Sequence, residues 1–213
     1  EMGQAVAEVA DGQAGRLVVG ASATVSETWL PAVLGRFRHE HPGVALEVRL
    51  GNSEKVLRGV RDHALGFGII GRPEYDPDMI ARPVFEDRLM PFVARDHPLA
   101  SRPSVRLADL MGTPFVLREP GSATREAVIR CLEESGYVPR EVVQLGSNEA
   151  VKRLVAAGMG IGILSARTLD VDIRAGDVTV LACEDWDCRR QFWLVHRADR
   201  LLTPAEQAFL ALL

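Results

Sequence analysis

Hydroxyl, amide and guanidinium side chains gather at four places in this sequence, each between an apolar run and a helical pattern. Ser22 and Thr24 form the first group, and Asn52 and Ser53 the second. Arg118, Gly121, Ser122, Thr124 and Arg125 form the third, and Ser147 and Asn148 the fourth. A helix start exposes backbone N–H groups and the positive end of the helix dipole, and small polar side chains beside it add donors. That chemistry suits an anion. Plainer readings stand beside it. Ser53, Ser147 and Thr24 could cap their own helices. Asn52 and Asn148 could be turn residues in left-handed geometry. Arg118 and Arg125 could be solvated charges, as Arg72 is expected to be. Ser22 lies several residues before the stripe that follows it, so capping explains it less well. Arg125 in a first helical turn opposes the dipole, a cost that a bound anion offsets.

Other chemistries lack their residues. The five histidines have no carboxylate or cysteine spacing for a metal. GxSxG and GxxxxGK[ST] do not occur. Gly66, Gly68 and Gly71 resemble part of GxGxxG, but they lie within and just beyond a strand with no helix starting at Gly71. No acid–base pair stands out, so neither an enzyme nor a cofactor is expected. The three cysteines, Cys131, Cys183 and Cys188, are an odd count, which opposes a disulfide framework and suits a reducing cytosol. Structural thiols are expected, with Cys131 mid-helix in the core and redox sensing the lesser reading.

The elements that must position these groups belong to an ordinary globular chain. It has 213 residues, 47% hydrophobic and 25% charged, which excludes full disorder. A net charge of −4 argues against this stretch gripping nucleic acid by itself. No apolar run reaches the length of a membrane span, and the N-terminus lacks the basic start and apolar stretch of a secretion signal.

Strand patterns at Leu17–Val19, Val44–Leu50 and Gly66–Ile70 alternate with two helical patterns. One carries Trp29, Leu30, Val33, Leu34 and Phe37, and the other Val56, Leu57 and Val60. An extended stretch, Val84 to Ala94, and a short helix at Leu107 and Leu110 follow. A second series has strands at Pro114–Leu117, Val142–Leu145 and Ile161–Leu164, with helices from about Thr124 to Ser135 and through Val151, Leu154 and Val155. Val178–Leu181 and Gln191–Val195 are further strands. Thr203-Pro204-Ala205-Glu206 is a capping box opening a terminal helix. Parallel α/β sheets follow from this order. The series also repeat: Leu50-Gly51-Asn52-Ser53-Glu54 lies over Leu145-Gly146-Ser147-Asn148-Glu149, and Gly66-Phe67-Gly68-Ile69-Ile70 over Gly160-Ile161-Gly162-Ile163-Leu164. Two related lobes are expected; chance convergence of two βαβ units is the alternative.

Several segments together resemble the effector-binding domain of LysR-type transcriptional regulators, over about Gly15 to Leu213. They are Gly15-Arg16-Leu17-Val18-Val19-Gly20-Ala21; Leu30-Pro31 with Phe37 to Val44; His97-Pro98-Leu99; Glu119-Pro120-Gly121-Ser122-Ala123-Thr124-Arg125; and Val155 to Leu164. The resemblance implies an α/β fold of two Rossmann-like lobes joined by two crossover strands, periplasmic-binding-protein-like (type 2). Residues 1–14 are then a linker remnant, 15–92 and 192–213 lobe I, and 93–191 lobe II, with crossovers near Pro91–Ala94 and Arg190–Phe192. It implies a small anionic metabolite, in most members a carboxylate, in the cleft between the lobes. The carried-over contacts are Ser22, Thr24, Asn52, Ser53, Gly121, Ser122, Thr124, Arg125 and Asn148, beside which Arg118 is also a candidate. It further implies a cytoplasmic homodimer, with tetramer assembly left to the full-length protein, and promoter DNA bound only through an N-terminal winged helix-turn-helix. In the dimer the Trp29–Phe37 helix would face the partner's Glu149–Val155 helix. A periplasmic solute-binding receptor for transport is the alternative. One departure is Gly66, where many members carry an acid at the third strand.

Overall fold

The computed structural model describes residues 14–72 and 75–213. The expected linker, apart from Ala14, lies outside the described residues. The chain divides into two units: one runs up to Phe85 and resumes at Phe192 through Leu213, and the other is Glu86–Gln191.

In the first unit, β1 (Ala14–Ser22) pairs in parallel with β2 (Gly43–Gly51) and with β3 (Phe67–Ile70). The return strand β9 (Cys188–Arg197) lies antiparallel to β3 through Trp193–His196. Helices α1 (Ala23–Thr28), α2 (Leu30–Glu40) and α3 (Ser53–Arg61) make the connections. The expected single helix after β1 is two, meeting at Trp29. Pro31, in the first turn of α2, has no N–H to offer the preceding turn, so the α1 ladder cannot run on through it. Alternation along the strands sorts the core onto two faces. Leu17, Val19, Ala21, Phe67 and Ile69 pack with Phe37 and with Phe209 of the last helix, α8 (Pro204–Leu210), while Ile70 and Val195 pack with Val56, Leu57 and Val60 of α3.

The second unit repeats the plan. β5 (Phe115–Arg118) pairs in parallel with β6 (Glu141–Leu145) and β7 (Ile161–Ser165), and β7 lies antiparallel to β4 (Met79–Ala94). β8 (Val178–Val180) lies against the other side of β4. α4 (Leu107–Leu110) and α5 (Ala123–Glu134) cover one face with Phe115, Leu117, Ile161 and Trp186. α6 (Asn148–Ala156) and α7 (Ala166–Ala175) cover the other with Phe92, Val116, Leu164 and Leu169. β3, β5 and β7 are buried at every position, as strands covered on both faces must be. The residues of the internal repeat fall on matching elements, α3 with α6 and β3 with β7. Gly68 and Gly162 correspond: a Cβ on the first would strike Val56 of α3, and one on the second would strike Phe92.

Several expectations need correction. The extended stretch is a 16-residue strand beginning at Met79. The chain leaves the first unit between Phe85 and Glu86, not between Phe92 and Val93, because Leu89–Phe92 already pair with β7 of the second unit. It returns between Gln191 and Phe192. α7 had no counterpart in the sequence reading. Cys131 and Cys188 are not free structural thiols: they form a disulfide with their Cα atoms 5.9 Å apart, leaving Cys183 free.

Candidate functional site

The four polar groups stand where strands give way to helices, and the structure separates capping residues from others. Asn52 is the N-cap of α3 and accepts the Lys55 N–H at 2.9 Å. Its backbone is extended, not left-handed. Ser147 caps α6 through the Ala150 N–H at 3.4 Å. Ser53 does not cap; its hydroxyl accepts the Gly71 N–H at 3.2 Å and ties the start of α3 to the end of β3. Ser22 and Ser122 occupy the N-cap positions of α1 and α5, and neither side chain accepts a helical N–H. Both residues are buried, and the Ser22 Oγ has no hydrogen-bond partner. Thr24 is buried in the first turn of α1.

The residues of the second unit form a network. Arg118 ends β5 and is 3% exposed, so it is not a solvated charge. It donates to Glu119 at 2.9 and 3.2 Å, to the Leu145 carbonyl at 3.2 Å, and to the Asn148 Oδ1. Asn148 is therefore a helical residue whose side chain receives an arginine. Gly121 turns the chain with φ of +81°, a conformation that favours glycine, and leads into Ser122. Arg125 reaches back over the start of α5 to the Arg118 carbonyl at 3.3 Å. With Pro120, Gly121, Glu126, Ile129 and Arg130 it lines a groove of about 450 Å3.

Thr124 leads to residues that sequence reasoning did not select. Its Oγ1 accepts from Arg190 at 2.8 Å, and Arg190 also donates to Asp87 at 2.9 and 2.8 Å. The Ser165 hydroxyl completes the set by donating to Asp87 at 2.7 Å. Asp87 and Arg190 are 103 positions apart, both almost fully buried. Burial draws the Arg190 guanidinium below its ordinary pKa, and the Asp87 carboxylate opposes that shift. Such a pair fixes geometry more than it stabilises, since desolvation consumes much of the attraction. Asp87 shares a strand face with buried Leu89 two residues on, but in a run of three charged residues, Glu86-Asp87-Arg88, nothing local marked it as inward or pointed to its partner.

The arrangement offers hydroxyls, helix-start N–H groups and guanidinium groups, with no evident nucleophile–base pair. Among the described residues no cluster of His, Cys, Asp and Glu could hold a metal ion. No helix among them is long and apolar enough to cross a membrane.

Residues 10–213 match the family described as the LysR substrate binding domain. The RuBisCO operon transcriptional regulator of Acidithiobacillus ferrooxidans is 36% identical over 191 residues, covering 88% of this chain and 62% of the relative. The HTH-type transcriptional regulator CfxR of Cupriavidus necator is 33% identical over 200 residues, covering 94% and 63%. The chain thus spans about three fifths of the length of these curated relatives. Among solved structures, the CcmR regulatory domain of Synechocystis PCC6803 in complex with 2-PG superposes with a TM-score of 0.84 at 29% identity, covering 92% of this chain and 94% of that one. The effector binding domain of QuiR in complex with shikimate shares the fold, with a TM-score of 0.85 at 20% identity and coverage of 93% and 95%.

Proposed function

Because this chain belongs to the LysR family, as a substrate-binding domain of it, we propose that it senses a small anionic metabolite for a DNA-binding transcriptional regulator. The candidate contacts are Ser22, Thr24, Asn52 and Ser53 of the first unit, and Arg118, Gly121, Ser122, Thr124, Arg125 and Asn148 of the second. In each unit the N-cap serine, Ser22 or Ser122, is the hydroxyl offered to an anion, and Thr124 and Arg125 adjoin Ser122 in the first turn of α5, where they also bond to Arg190 and to the Arg118 carbonyl. Asn52, Ser53, Arg118 and Asn148 hold the helix starts in place, given the bonds they already make. The whole protein is proposed to act as a cytoplasmic homodimer that reaches promoter DNA through an N-terminal winged helix-turn-helix.

The observation that carries this reading is the pair of N-cap serines whose hydroxyls leave their helices uncapped. A buried hydroxyl without a partner, as at Ser22, costs about 1–3 kcal/mol. A ligand that accepts its hydrogen bond removes that cost. Occupancy acts on the regulator only as far as the ligand binds two conformational states with different strength.

The 2-PG bound by the Synechocystis relative makes it the first probe, followed by shikimate, sulfate and phosphate. Calorimetry on the purified chain is expected to show saturable binding of at least one. Ser122→Ala and Arg125→Ala should each weaken that binding by ~1.5–3 kcal/mol, about ten- to 150-fold, as loss of a hydrogen bond to a charged group does. Absence of heat and of thermal stabilisation across the panel would sink the reading. Unchanged affinity in Arg125→Ala would remove that residue from the site.

A further inference from the structure

We propose that Cys131 and Cys188 form a thiol-exchange site, reduced by low-molecular-weight dithiols, that governs how firmly the Gly121–Arg125 anion loop is held. The disulfide joins α5 to β9 within the second unit. Those two elements are also joined by the hydrogen bond from Arg190 to Thr124. The two ties share one seam. Thr124 and Cys131 are seven residues apart, about two helical turns, and so lie on the same side of α5. Cys188 and Arg190 are two residues apart on β9 and both are buried, so they share a strand face. Ala127 and Val128, between the ties, are buried in the same cluster as Cys188. With the disulfide closed, α5 is pinned two turns beyond the loop. With it open, the first turn keeps its packing and its own hydrogen bonds, among them Arg190 to Thr124 and Arg125 to the Arg118 carbonyl, but loses the covalent tie two turns on.

The chemistry has a direction. Cys188 is fully buried and Cys131 partly exposed, so an incoming thiolate reaches Cys131 first. It forms a mixed disulfide there and expels Cys188 as a thiolate, which takes up a proton. The dithiol's second sulfur then attacks the mixed disulfide at the dithiol's own sulfur and releases Cys131. The dithiol leaves as a cyclic disulfide, oxidised by two electrons, and the protein gains two thiols. Cys183 does not compete as a nucleophile. Burial first, then its hydrogen bond to Asp185, pushes its pKa up to about 12, so it stays a thiol near neutral pH.

Three measurements on the whole chain test this, and only the last rests on the proposed effector reading. After mild oxidation and unfolding without reductant, one thiol should titrate, against three after dithiothreitol. Three in both cases overturns the pairing. Amide exchange at Thr124–Val128 should quicken about tenfold on reduction; equal rates overturn the mechanical coupling. The affinity for 2-PG should fall about three- to tenfold on reduction, as loss of preorganisation does. Cys131→Ser should bind as the reduced form does and ignore dithiothreitol. Equal affinity in both redox states overturns control of the anion site. Should 2-PG and sulfate bind neither form, the effector reading loses those anions, while thiol count and exchange rates still decide the disulfide's role.

Discussion

Asn52 and Ser22 both stand at the N-cap of a helix, yet only the Asn52 side chain accepts a helical N–H. Their alanine variants should therefore behave differently. Asn52→Ala is expected to lower stability by about 1 kcal/mol, the usual worth of a cap. Ser22→Ala removes a buried oxygen that has no partner, so its urea midpoint should hold or rise while anion affinity falls. A midpoint for Ser22→Ala lower than that for Asn52→Ala would show that the Ser22 hydroxyl is structural. The cysteines differ at the same scale. Cys183, with its raised pKa, should react with iodoacetamide at pH 8 far more slowly in the folded chain than in urea. Comparable rates would mean that burial does not protect it.

At the scale of elements, what was legible followed from whether the signal was local. The paired series α3–β3 and α6–β7 announced themselves through caps and Gly-rich strands, both read within a dozen residues. α7 did not, because Leu169-Asp170-Val171-Asp172-Ile173 alternates with the period of a strand. The folded helix buries Leu169 and leaves Val171 and Ile173 exposed, so its stripe is too thin to read. Arg118, Ser122, Thr124 and Asn148 were found because they border such caps. Asp87 with Arg190, and Cys131 with Cys188, join elements 103 and 57 positions apart, a closeness that only the fold supplies. Gly66 shows the same dependence. Its Cβ would enter the Arg200–Glu206 ion pair, whose bonds are 2.9 and 3.0 Å and whose carboxylate also accepts the Thr203 N–H at the start of α8. An acid there, usual among the proteins this chain resembles, would face Glu206. Gly66→Ala should cost ~1 kcal/mol, the worth of a partly exposed pair. In an Arg200→Ala background that cost should shrink, since one of the two side chains to be displaced is gone and the Glu206 carboxylate no longer has a pair to lose. Strictly additive costs would show that Gly66 serves its backbone instead.

Across the whole molecule, charge predicts how stability follows pH. Hydrogen bonds and cations hold several carboxylates below their ordinary values: Glu47 through Arg49 and Arg16, Asp109 through the Arg106 N–H, Asp187 through Arg189, and Asp199 through Arg197. These groups are solvent-exposed, so each pair contributes little and salt screens it. The Lys152 cluster is less exposed. Lys152 joins α6 to Asp172 of α7 at 2.6 Å and to Glu149 at 2.9 Å. Burial alone would lower its pKa, but the hydrogen bonds to Asp172 and Glu149 outweigh burial and raise it. Glu149 is correspondingly lowered, by the Lys152 hydrogen bond before any other cause. A carboxylate whose native pKa is depressed contributes stability above its unfolded value, near 4.5 for glutamate, and loses it as pH falls through the native value. A lysine whose native pKa is raised contributes below 10.5 and loses it as pH climbs through the native value. The cluster is thus whole from about pH 5 to 10, and the urea midpoint should be level there as far as it depends on these groups. Lys152→Met strips the ammonium from a buried carboxylate and should cost about 1–3 kcal/mol at pH 7. As pH falls through the lowered native value of Glu149, that carboxyl ceases to draw the ammonium, so the gap between variant and parent midpoints should narrow. A gap that stays constant as the medium is acidified would assign the effect of Lys152 to packing of its aliphatic stem between α6 and α7, not to its charge.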